Sequence, residues 1–169
     1  MRTYNVTGTT LNALERSLAA HGPQVPGLPG RAFAAVETSF LHSFEPAAAG
    51  GSCRYNRNGR VGLRSEVILP EWRQRDRAPA ELQLKWDVIS RYAVIHEAGH
   101  IRISQKYASL LEQAYKRASA QSCEALDASM VREANRILAD HRAEQNLFDA
   151  TDGPRFAAYL RSLGYSVGS

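Results

Sequence analysis

The sequence is poor in the features that mark several large classes of protein. Its 169 residues include only two cysteines, two methionines and five histidines. No run of roughly 18 apolar residues occurs, so no helix in it is expected to span a membrane. The start at Met1-Arg2-Thr3-Tyr4 has no apolar signal region, which suits either a cytosolic protein or an exported one whose signal has been removed. Internal repeats, a low-complexity tail and a domain linker are all absent, and the length suits a single domain, 1–169, that buries its own core without a structural metal. The charge is only mildly one-sided, at +4 with a pI near 9.3. Arg54, Arg57, Arg60, Arg64, Arg73, Arg75 and Arg77 are scattered and lack recurring aromatic partners, so a solvated face is expected rather than a nucleic-acid site. Cys53 and Cys123 are far enough apart that a bridge would stabilise the fold by about 4 kcal/mol in the chain-entropy model. Two buried free thiols are an equal alternative.

Against this background one motif stands out, His96-Glu97-Ala98-Gly99-His100. From Pro79 to about Ala120 there is no further proline, and Leu82, Trp86, Ile89, Val94, Ile101, Ile103, Leu110 and Leu111 recur near a helical period. Residues four apart on a helix share a face, so both imidazoles can reach one zinc ion while Glu97 lies beside them as a general base. Tyr92, His96, His100, Ile103 and Tyr107 follow one stripe, which turns the ligands toward the protein. The plainer alternative is a hydrogen-bonded pair of core histidines. Gly99 weakens the helix by about 1 kcal/mol relative to Ala, and its bare backbone suits either close helix packing or close approach of a substrate.

The remaining pattern gives an α+β fold. Tyr4-Asn5-Val6 reads as a short strand, and Thr9 or Thr10 can cap a helix through about Ala20 that ends at Gly22. His21 to Gly30, with Pro23, Pro26 and Pro29, is a loop. Arg31 to Phe44 reads as a strand with Phe33, Val36 and Phe40 inward, and Ala47 to Ser52 as a small-residue loop. Asn58-Gly59, between Cys53–Arg57 and Arg60–Leu69, is a strong hairpin signal, and Pro70-Glu71-Trp72 closes the second strand. After the motif helix, Ser122 can cap a second helix through about Phe148, striped by Leu126, Met130, Ala134, Ile137 and Leu138. Thr151-Asp152-Gly153 is expected to interrupt it, with Pro154 starting a last short helix to Leu163, stopped by Gly164. The sequence therefore predicts a small, mainly antiparallel sheet with one helix (1–75), packed on a long helical hairpin (78–169) that carries the motif. This arrangement resembles the sheet and active-site helix of zinc metallopeptidases.

Catalytic zinc usually takes three protein ligands, so His96 and His100 need a partner. Ile101 to Lys106 contains no glycine or third histidine of the metzincin kind, and Glu124, the thermolysin-like candidate, adjoins the turn at Cys123. If the hairpin turns near Gln121-Ser122, residues 96–100 face roughly 142–147. The lean of side chains toward each helix N-terminus then shifts the match to Gln145 and Asp149, with His141 on the same face and Glu144 at its border. Asp149 is the expected third ligand, with Glu144, His141, Glu124 and Asp152 as rivals. Each of these is also a common solvated helix residue.

The order Tyr4-x-Val6-x-Gly8-x-Thr10, Cys53, Leu69-Pro70-x-Trp72, His96-Glu97-x-x-His100, Cys123 and Gln145-x-x-Phe148-Asp149 resembles a family of predicted secreted bacterial zinc-dependent proteases catalogued as a domain of unknown function. The similarity runs from about Tyr4 to Gly153. It departs in three ways: Phe148 stands for a tyrosine, the spacing to Thr151 is shorter, and Asp152-Gly153 stands where a histidine-glycine pair would be. The resemblance implies a periplasmic or secreted location and a Cys53–Cys123 disulfide. The expectation is a zinc metallopeptidase with His96, His100 and Asp149 as ligands, Glu97 as general base, and a peptide or protein substrate held along a strand edge. Tyr92, Tyr107, Tyr159 and Tyr165 are candidate oxyanion donors by chemistry alone. A hydrolase of a cell-wall amide, or a zinc-binding module without turnover, would share the same motif.

Overall fold

The computed structural model describes residues 1–162, which form an α+β fold. Strand β1 (Arg2–Val6) leads into α1 (Leu11–His21), whose Thr10 side chain accepts the Ala13 N–H and so satisfies one of the unpaired donors of the first turn. Then come β2 (Ala35–His42), β3 (Pro46–Ala49), β4 (Ser52–Tyr55) and β5 (Val61–Trp72). The chain continues through α2 (Ala80–Arg117), β6 (Ser119–Ala120) and α3 (Cys123–Ser162). One sheet has the order β1-β5-β2, with β1 parallel to β5, and the other is the antiparallel set β3-β4-β6.

The described residues divide into two compact units, each drawing strands from the amino-terminal half and helix from the carboxy-terminal half. The first comprises Met1–Glu37, Ser65–His100 and the described residues from Ala150. Its core is Val6, Leu14, Trp72, Ala78 and Trp86. The ring of Trp86 lies 5.2 Å from that of Trp72 and 5.3 Å from that of Phe33. Burying each such large apolar side chain contributes about 1.5–3 kcal/mol, which fixes the start of α2 and the segment leading into β2. The second unit comprises Thr38–Arg64 and Ile101–Asp149, and packs Tyr107, Leu111 and Ile137 with Phe40, Val61 and Ile103 around them. Within it, Cys53 of β4 is bonded to Cys123 at the start of α3, with Cα atoms 5.0 Å apart. Ser122 caps α3 by accepting the Ala125 N–H at 3.1 Å.

Two local expectations are corrected. The hairpin is not at Asn58-Gly59 but at Gly50-Gly51, inside the stretch expected to be a loop, and it joins β3 to β4. Gly50 and Gly51 have φ of +59° and +80°, the left-handed pair that a tight two-residue hairpin needs, whereas Gly59 is not among the positive-φ glycines. What Gly59 supplies is space, because a Cβ there would stand 2.2 Å from the Phe44 ring. The second correction is that α3 continues through Thr151-Asp152-Gly153 and carries Pro154 in its interior. Losing the hydrogen bond to the Ala150 carbonyl costs about 3 kcal/mol in an isolated helix. Contacts on both sides of the proline offset this: Asp152 accepts from Tyr92, and the Phe156 ring stacks on the Tyr92 ring at 3.5 Å. The expected stop at Leu163-Gly164 lies outside the described residues.

Candidate metal centre

The motif is in the middle of α2, as its periodicity requires, with Glu97 and Gly99 buried and both histidines half-buried. One turn of helix brings the Nε2 atoms of His96 and His100 to 3.1 Å from each other, with the rings nearly perpendicular. The other nitrogen of His96, Nδ1, lies 2.8 Å from Oδ2 of Asp152. Tyr92, one turn before His96, donates its hydroxyl to the same Asp152 oxygen at 2.7 Å.

This geometry orients the His96 ring. Burial pushes the Asp152 carboxyl up, but hydrogen bonds from His96 and Tyr92 and the charges of His96 and Arg155 together outweigh it and hold the group below the ordinary carboxylate value. An ionised carboxylate can only accept, so the Asp152 contact favours a proton on His96 Nδ1, and a neutral imidazole with its proton there presents the Nε2 lone pair toward His100. A carboxylate behind a histidine in this way is the usual support of a metal-ligating imidazole. Two nitrogens bound to one tetrahedral zinc at about 2.0–2.1 Å stand about 3.3 Å apart, so the observed 3.1 Å needs little adjustment to hold the ion. Asp149, the expected third ligand, is exposed on α3 at the last residue of the second unit.

The rival ligands are placed differently. Glu144 accepts from Lys106 and, at 2.9 Å, from Tyr107. Those hydrogen bonds and the Lys106 and His141 charges hold its carboxyl below the usual range against the opposing effect of burial. His141 is buried with Nε2 at 3.0 Å from Ser104 Oγ and 2.9 Å from Gln145 Nε2, and Gln145 also donates to Ser104. Glu124 is exposed in the first turn of α3. Asp152 is the orienting partner of His96, so the α2–α3 pairing runs about one helical turn further along α3 than midpoint registry gives. The lean of side chains on two antiparallel helices adds rather than cancels. Of the tyrosines, Tyr92 is engaged with Asp152, Tyr107 with Glu144, Tyr159 is half exposed, and Tyr165 lies outside the described residues.

Sequence reasoning missed the Tyr92–Asp152 support and an apolar cavity of about 240 Å³ that opens beside His96 and Glu97. A signal for both existed, since Tyr92 and His96 are four apart on α2, and Asp152 and Phe156 four apart on α3. The proline between the latter pair concealed it. No curated protein and no solved structure matches this chain. Residues 1–155 match the family described as a bacterial protein of unknown function, DUF922, and the chain belongs to that family.

Proposed function

We propose that this protein is a zinc-dependent metallopeptidase acting on peptide or protein substrates. The observation that carries the reading is the pair of Nε2 atoms 3.1 Å apart, with Asp152 on the other nitrogen of His96, directly beside the buried Glu97. His96, His100 and Asp149 would hold the ion, a two-nitrogen, one-oxygen set that suits catalytic zinc and leaves room for water. When bound, zinc would supply Lewis acidity and lower the pKa of water toward about 7.

The chain's own groups account for the rest of the chemistry. Glu97 would take the proton of the attacking water and pass it to the departing amine, from a position that is buried beside both histidines. Asp152 and Tyr92 would keep His96 in one tautomer and one orientation throughout. Phe33 and Ala34, which line the cavity at Glu97, run directly into β2, an outer strand of its sheet. An extended peptide pairing with that edge would therefore pass the general base. The disulfide supports work in an oxidising compartment, periplasmic or extracellular.

The test is Glu97→Gln in the zinc-loaded protein, with cleavage of a denatured protein mixture read by mass spectrometry and zinc by elemental analysis. The enzyme reading requires hydrolysis to vanish while zinc stays. Equal cleavage by the variant, or none by the parent protein, refutes it, and the latter result would favour a binding module.

A further inference from the structure

We propose that the cavity beside Glu97 is a side-chain pocket that receives one apolar residue of leucine or phenylalanine size from a bound peptide, a proposal that rests on the peptidase reading above. The cavity lies wholly within the first compact unit, and its walls are Phe33, Ala34, Ile89, Ala93 and Phe156. His96 and Glu97 also line it. A residue held there is adjacent to the bond whose hydrolysis Glu97 would assist as general base.

Size and polarity define the occupant. At about 240 Å³ the cavity falls below the roughly 300–1,000 Å³ typical of pockets that enclose whole small-molecule ligands, so it suits one side chain. Tyr92 contributes carbon, because its ring is stacked on Phe156 and its hydroxyl is turned to Asp152. None of the five wall residues carries a charge or a side-chain hydrogen-bonding group. An acidic side chain would lose its hydration against those five walls, which offer it no donor, and would lie near the Glu97 carboxyl, whereas an apolar one gains by leaving water. Lysine is the sharpest competitor, since its ammonium could seek Glu97. The walls are also preformed, with Phe33 fixed against Trp86 and Phe156 against Tyr92, so little ordering is needed on binding.

The experiment is a titration of the zinc-loaded protein, followed by NMR of the Ile89 methyl groups, with the acetylated amides of phenylalanine, leucine, lysine and aspartate. The phenylalanine and leucine amides are expected to shift the Ile89 signals and to bind about ten- to two-hundred-fold more tightly than the charged ones, the range a hydrophobic pocket commonly discriminates. Ala93→Leu, which fills the cavity, should abolish that discrimination while zinc content is unchanged. Should that variant fail to fold, Ala34→Leu narrows the cavity from the strand side and must do the same. Equal or tighter binding of the lysine amide, or binding of the phenylalanine amide without a response at Ile89, overturns the proposal. Cleavage of the denatured protein mixture is scored separately. If no peptide is cut the peptidase reading fails, while the titration still decides whether the pocket takes an apolar side chain.

Discussion

Replacing Asp152 by alanine tests the reasoning at its most specific point. Asp152 is not a proposed ligand, yet its Oδ2 is 2.8 Å from His96 Nδ1 and 2.7 Å from the Tyr92 hydroxyl. Without it, Nδ1 keeps the longer contact to the Tyr92 hydroxyl at 3.4 Å, and His96 is held less firmly in the orientation that would face the ion. Loss of such a supporting carboxylate costs about 10- to 100-fold in metal affinity, or about 1.4–2.7 kcal/mol. The Asp152 side chain is 25% exposed, so water can partly replace it, and the expected loss lies near the tenfold end. Asp152→Asn, which keeps an acceptor but not the charge, should fall between the alanine variant and the parent. Tyr92→Phe should lose less still, because the carboxylate remains on His96. The assay is competition for zinc against a chromophoric chelator near neutral pH, with circular dichroism of the metal-free proteins as the control for folding. Unchanged affinity in Asp152→Ala would show that the carboxylate does not orient His96. Complete loss of zinc would show that it is a ligand, and either result refutes the assignment.

Three further outcomes follow from the same structure. Elemental analysis should find about one zinc per chain and none in His96→Ala or His100→Ala, and in chelator competition Asp149→Ala should weaken binding strongly while Glu144→Ala should not, because Lys106 and Tyr107 already occupy Glu144; the reverse ranking would exclude Asp149. Replacing both Cys53 and Cys123 by alanine should lower stability to chemical denaturation by about 4 kcal/mol, given the 70-residue separation, and an unchanged midpoint would contradict the chain-entropy argument. The Glu144 carboxyl is held below its ordinary value in the folded protein, so its contribution is present above the unfolded pKa of about 4.3 and is lost as pH falls through the lowered folded value. Glu144→Gln should therefore flatten the acid side of a urea-midpoint profile, and a profile parallel to that of the parent would refute it.

The sequence by itself determined the features whose causes are local. The period of apolar residues around His96 and His100 defined α2, because a helix buries one face whatever it packs against. Thr10 and Ser122 marked helix starts, because a side-chain oxygen satisfies an N–H only three residues away. The turn of helix between His96 and His100 was enough to bring their nitrogens together. Tertiary structure decided wherever two local solutions were nearly equal. Gly50-Gly51 and Asn58-Gly59 both permit a tight turn, and the choice fell to strand pairing and to Phe44, which occupies the space a side chain at Gly59 would need. Pro154 favours a helix break when only its neighbours are considered, but Tyr92 holds residues on both sides of it and the helix continues. The contact of Asp152 with His96 was likewise decided by tertiary structure, since 56 residues separate the two and helix registry brings them together. Registry sums small displacements along two long helices and the lean of every side chain between them, so an error of one turn changes which carboxylate meets His96.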